Sequence, residues 1–147
     1  MPLPLKVCLC DPRAQLPTKA TDGAAGYDLY ASNEAPLTLG PGEYRGIPTG
    51  ISIELPSAQM VALVFSRSGQ GFKHAVSLVN SVGVIDSDYR GELIVGVINH
   101  GQAPFTVCCG DRIAQLLIVP LADIYLEQAQ SLGETARGAG GFGSTGK

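Results

Sequence analysis

Short apolar or alternating segments recur along the chain every ten residues or so, separated by Gly, Pro, Asn and Asp. Leu5 to Cys10 is rich in apolar residues, Gly26 to Ala31 follows, and Tyr44 to Leu55 is a β-branched and apolar run broken at Pro48 and Gly50. Met60 to Phe65 is nearly all apolar, the pattern of a strand buried on both faces. Val82 to Asn99 alternates on either side of Asp86-Ser-Asp-Tyr-Arg-Gly91, which predicts a long hairpin. Phe105 to Cys109 and Ile113 to Pro120 continue the series, and the one predicted helix is short, Ser68 to His74. Many short strands with Gly and Pro punctuation predict an all-β sandwich, jelly roll or closed barrel.

Composition narrows the picture. With 147 residues the chain has the length of one domain, and its 19 Gly approach twice the usual share of about 7%. Charged residues make up 16%, against about 25% in an average soluble protein, which implies that part of the surface is covered by other subunits. No apolar run approaches the roughly 18 residues of a membrane span, and the opening MPLPLKVCLC reads as too short and Pro-broken for a secretory segment. The expectation is a cytoplasmic protein with no membrane partner. A net charge of −3 without a basic block argues against nucleic acid as a partner, so a polyphosphate ligand must be met by a few local cations. Cys8 and Cys10 form a C-x-C pair and Cys108 and Cys109 are adjacent. Neither spacing suits zinc, and buried, reduced thiols are expected instead.

Residues 1–132 read as a single domain, after which the character changes. Residues 133–147 are Gly-rich with one large apolar residue, Phe142, and predict a tail that is mobile when empty. Two readings stand: a disordered terminus, or a flap that orders on a ligand with Phe142 as its stacking face. Gly141 to Lys147 matches most of a phosphate-cradling P-loop. No Ser or Thr follows Lys147, however, and the upstream sequence is not a βαβ unit, so the motif lacks its context.

Chemistry is densest between Asn80 and Gly91. Asp86, at the end of an apolar strand, is either a turn former or a rigidly held carboxylate suited to orienting a water as general base. Tyr89 offers a flat wall for a sugar or base. Arg67-Ser68-Gly69 combines a cationic fork, an O–H donor and a backbone that an anion can approach. Arg112 reads as a structural ion-pair partner, and Gln115 as an amide donor for a bound oxygen. Asp28, after Ala24-Ala-Gly-Tyr27, is either a hydrogen-bonded structural carboxylate or a partner of Mg2+ through water.

Together these segments, from Ala24 to Lys147, resemble the trimeric dUTP pyrophosphatase (dUTPase) family. Val84-Ile-Asp-Ser-Asp-Tyr-Arg-Gly91 and Arg137-Gly-Ala-Gly-Gly-Phe-Gly-Ser-Thr-Gly146 carry most of the resemblance, and Asn80 gives it a bacterial look. The resemblance implies a distorted jelly-roll β-barrel in a homotrimer, with each active site assembled from all three subunits. It also implies hydrolysis of dUTP to dUMP and pyrophosphate with Mg2+ as cofactor. In that scheme Asp86 orients the water and contacts the deoxyribose 3′-OH, and Asp28 lies in the metal's outer sphere. Arg67, Ser68, Gly69 and Gln115 bind phosphate oxygens and Arg137 the γ end. Asn80, Gly83, Val84, Ile85 and Ile94 bind substrate, with the backbone around Val84 and Ile85 and with Asn80 imitating a base-pairing edge. Tyr89 excludes a 2′-OH, and Phe142 and Gly143 belong to the tail that closes over the site of a neighbouring subunit. Two rivals are a dCTP deaminase of the same fold, against which the Asp86/Tyr89 segment and the Phe142 tail stand, and a regulator that binds dUTP to switch a partner.

Overall fold

A computed structural model describes residues 2–141 of the protein. Its elements in chain order are β1 (Lys6–Leu9), β2 (Tyr27–Tyr30), β3 (Leu37–Leu39), β4 (Tyr44–Pro48), β5 (Ile51–Glu54), β6 (Met60–Phe65), α1 (Ser68–His74), β7 (Val76–Leu78), β8 (Val82–Ile85), β9 (Ile94–Asn99), β10 (Phe105–Val107) and β11 (Arg112–Pro120). The chain is therefore built mainly of strands with one short helix, as its turn-rich composition predicts. The ladders are antiparallel and form four sheets, ordered β1-β5, β10-β3, β2-β11-β6-β8 and β4-β9-β7, without closing into a barrel among the described residues.

Alternating apolar positions from these sheets converge on one core, in which Leu29, Leu39, Ile47, Ile51, Ile113 and Leu116 are fully buried. β6 lies between β11 and β8. Ala62 and Val64 face the core while Leu63 and Phe65 are half-buried on the other side, so the expected double-faced burial is reached on one face and approached on the other. Between β4 and β5 the chain turns at Gly50, whose φ of +66° favours glycine and where a Cβ would fall 2.7 Å from Ala14 Cβ. This turn is the break read at Pro48 and Gly50. β3 and β7, three residues each, are too short to register as alternation and are absent from the sequence-based reading.

Two expectations are corrected. Val82 to Asn99 is not a hairpin ladder: β8 pairs with β6, while β9 pairs with β4 and β7. Alternation fixes which side chains face a core but does not choose the neighbouring strand. The four thiols are exposed, not buried, because Cys8 and Cys10 lie on the outward side of and just beyond the edge strand β1, and Cys108 and Cys109 form the turn before β11. Arg112 forms the expected ion pair, with Asp28. No helix among the described residues is long and apolar enough to cross a membrane.

Candidate active site

The phosphate-type residues gather at one end of the four-stranded sheet. Asp28 and Gln115 are Cα partners across the β2–β11 ladder, and Gln115 is in turn opposite Phe65. These three residues, with Ala24, Ala25, Gly26 and Leu117, line a cavity of about 440 Å3. Small residues at its rim are needed for space: a Cβ on Gly26 would meet Leu117 Cδ1 at 2.9 Å. Arg67 caps α1 in an extended conformation, and its Nε donates to Asp28 Oδ1 at 3.0 Å, while Arg112 Nη1 lies 3.5 Å from Asp28 Oδ2. Asp28 is only 5% exposed, so both of its oxygens are met by guanidinium groups, as burial of a carboxylate requires. Ser68 and Gly69 are exposed beside Arg67, and a Cβ on Gly69 would touch nothing of this chain within 4 Å.

The turn that carries these residues is pinned at both ends. Ser66 Oγ accepts from Leu78 N–H at 2.9 Å, and Gln70 Nε2 donates to the Arg112 carbonyl at 2.7 Å. The sequence carries no signal for Gln70, a polar residue on a short helix whose partner lies 42 positions away.

The second group runs along β8 beside β6 and reaches the other end of β6 at Asp86. β8 is the edge strand of its sheet, so one side of the Val82–Ile85 backbone has no ladder partner. It faces the start of β9 across a narrow cleft of about 110 Å3 lined by Asn80, Gly83, Val84, Ile85, Ile94 and Gly96 among others. This cleft takes the place of the expected hairpin ladder, and it presents unpaired peptide groups to whatever enters. Gly83 is buried there, with room for a Cβ only 3.1 Å from Val64 Cβ. Next to the cleft is a cavity of about 280 Å3 lined by Val84, Ile85, Asp86, Tyr89, Glu92, Leu93 and Ile94.

The loop bearing Asp86 and Tyr89 is anchored at its far end. Leu93 N–H donates to the Ile51 carbonyl at 2.8 Å, Thr49 Oγ1 donates to the Leu93 carbonyl at 2.5 Å, and Gly50 N–H donates to Glu92 Oε1 at 2.8 Å. Asp86 itself is exposed on this fixed loop, and its carbonyl accepts from Tyr89 N–H at 3.2 Å.

The two groups are far apart within one chain. Ile85 is opposite Ala62 and Val82 opposite Phe65, which puts Asp86 level with Val61, whereas Arg67 follows the other end of β6. The offset from Val61 to Arg67 is about 20 Å at the rise of an extended strand. Arg137 lies on the exposed stretch that begins at Leu121, its Nε donating to the Gly140 carbonyl at 2.8 Å. Phe142 and Gly143 lie outside the described residues.

Comparison with known proteins gives the family. A family model described as dUTPase matches residues 12–146. The chain belongs to the dUTPase family. A deoxyuridine 5'-triphosphate nucleotidohydrolase of Desulfitobacterium hafniense is 55% identical over 138 residues, covering 92% of this chain and 90% of that protein. One from Pseudomonas paraeruginosa is 48% identical over 146 residues, 97% of both. Among solved structures, a mutant dUTPase of Staphylococcus bacteriophage 80alpha with dUpNHpp matches with a TM-score of 0.89 at 27% identity, covering 98% of this chain and 99% of that one. A mutant dUTPase from phage phi11 of S. aureus, described as coordinating a structural Mg(II) ion, matches with a TM-score of 0.80 at 25% identity over 89% of this chain and 99% of that one.

Proposed function

We propose that this dUTPase-family chain hydrolyses dUTP to dUMP and pyrophosphate in sites formed between subunits of a homotrimer of jelly-roll protomers. The observation that carries the reading is Asp86, an exposed carboxylate on an anchored loop, beside a cleft with an unpaired strand edge. Uracil enters the cleft and meets backbone donors and acceptors near Val84 and Ile85, with the Asn80 amide alongside. A base with exchanged donor and acceptor positions, such as cytosine, leaves those groups unpaired and is rejected. The deoxyribose packs on Tyr89, whose ring leaves no room for a 2′-OH.

Asp86 orients a water molecule and accepts its proton as the water oxygen bonds to the α-phosphorus. The bond from that phosphorus to the α,β-bridging oxygen breaks, and the electron pair leaves with pyrophosphate. Arg67, Ser68, the Gly69 backbone and Gln115 hold the phosphate oxygens, Arg137 takes the γ end, and Phe142 with Gly143 closes over the base and excludes water.

The separation of the two groups along β6 supports sharing between subunits, because a triphosphate held by Arg67 does not reach Asp86 of the same chain. The low charged fraction and the exposed Leu121, Ile124, Tyr125, Leu126 and Leu132 point the same way, as apolar surface that a neighbouring copy covers.

For Mg2+, the fit is to an outer-sphere role. No cluster of three or more His, Cys, Asp or Glu side chains occurs among the described residues, and Asp28 is the one carboxylate lining the larger cavity. A cation that keeps most of its waters and rides on the substrate's phosphates needs no more than that. When bound, Mg2+ supplies charge stabilisation at the phosphate chain; Asp28 would hold one of its waters.

The test is a product assay on purified protein with Mg2+, offering dUTP, dCTP, dTTP and UTP separately. The expected result is dUMP and pyrophosphate from dUTP alone. Ammonia from dCTP would establish a deaminase instead, and no turnover with dUTP-dependent protection against unfolding would establish a binding regulator.

A further inference from the structure

The hydroxyl end of the Tyr89 ring occupies the place that a Cβ on Gly91 would take. A Cβ on Gly91 would fall 2.3 Å from Tyr89 Oη, 2.6 Å from Cζ and 3.0 Å from Cε2, well inside van der Waals contact. The φ of Gly91 is outside the left-handed region that calls for glycine, so the backbone conformation at this position accepts any L-residue. What requires glycine here is the aromatic ring. The hydroxyl holds the ring down by donating to the Glu92 carbonyl at 3.0 Å.

The backbone beneath cannot give way. Glu92 and Leu93, the next two residues, are tied to the β4–β5 turn through Gly50 N–H, Thr49 Oγ1 and the Ile51 carbonyl. The ring can, because Tyr89 is 45% exposed. A side chain at position 91 therefore evicts the ring and leaves the Asp86 backbone in place.

We infer that Gly91 is a specificity-determining positioning residue: by lacking a side chain it seats Tyr89 against the sugar pocket and so sets the discrimination between deoxyribo- and ribonucleoside triphosphates. The inference rests on the reading of Tyr89 as the wall that excludes a 2′-OH. Gly91 touches no substrate and acts only through the ring.

The experiment measures kcat/KM for dUTP and UTP, together with Tm, in wild type, Gly91→Ala, Tyr89→Ala and the double variant. In Gly91→Ala the ratio of dUTP to UTP efficiency is expected to fall at least about tenfold, and the second substitution is expected to add nothing in the Tyr89→Ala background. Any loss of Tm in Gly91→Ala should likewise vanish when the ring is absent. An unchanged ratio in Gly91→Ala alongside a lowered ratio in Tyr89→Ala would overturn the inference about Gly91. A Tm loss of equal size in both backgrounds would also overturn it, since that would make the glycine a backbone requirement. An unchanged ratio in Tyr89→Ala would overturn the underlying reading of Tyr89, and absence of dUTP turnover in wild type the reading of the activity.

Discussion

Arg67 Nε donates to Asp28 Oδ1 at 3.0 Å, joining the residue before the helix to a buried carboxylate 39 positions earlier. This pair fixes the Arg67–Gly69 turn against the sheet, and it compensates a charge that could not be buried alone. Replacement Asp28→Ala leaves Arg67 without its carboxylate. Arg67 and Arg112 keep 21% and 49% side-chain exposure, so solvent takes over part of the interaction. The expected cost is about 1 to 3 kcal/mol, less than for a fully buried pair, read as a lowered urea midpoint at unchanged slope.

Asp86 stands on a loop whose backbone bonds do not involve its carboxylate. Asp86→Asn should therefore keep the fold and the affinity for dUTP while turnover falls by at least about 10²-fold, the scale of a general base. Single-turnover kinetics with a parallel titration of a non-hydrolysable analogue separates the two. Turnover close to wild type would remove Asp86 from the role of base.

Acid stability has a specific local contribution. A bidentate fork from Arg13, with Nε and Nη2 at 2.9 and 2.8 Å from the two oxygens, and the Arg13 N–H at 2.8 Å, hold the Asp11 carboxyl at about 2, below its ordinary 3.8. A depressed carboxylate stabilises the folded state above the unfolded pKa and loses that contribution as pH falls through the folded one. The Tm gap between wild type and Asp11→Asn should thus be constant above about pH 5 and close progressively between about pH 4 and pH 2. A gap of undiminished size at pH 2 would show that the side chain acts through packing instead of charge.

Residues 133–139 make no contribution to the core, since 121–139 are exposed throughout. Truncation after Leu132 is expected to leave a folded trimer with little activity, because Arg137 and Phe142 are lost to the site. Sedimentation and the product assay together check this; a monomer, or a fully active trimer, would contradict the assigned role of the tail.

What the sequence discloses follows the range of the forces involved. The bounds of the helix, Ser68 to His74, and the break at Gly50 come from local chemistry and are legible. Strand segments such as Met60 to Phe65 are legible from their apolar content. The pairing partners are not: Val82–Ile85 joins β6, not β9, and nothing in the alternation distinguishes the two. The cleft that replaces the hairpin is therefore visible only in three dimensions. The same holds for the Asp28–Arg67 pair and for Gln70, whose partners lie far along the chain. Gly91 reads as an ordinary turn former until the Tyr89 ring is seen against it. The thiols mislead because a preference for burial is an average over folds, whereas Cys8 belongs to an edge strand with one face to solvent.

The two ends of β6 also have a genetic consequence. If Asp86 and Arg67 serve one site only from different subunits, a chain lacking Asp86 and a chain lacking Arg67 are each inactive alone. A trimer that mixes them contains one interface where the intact Asp86 of one chain meets the intact Arg67 of the other. Two silent alleles expressed together would then restore part of the activity, which no defect confined to a single-chain site could do.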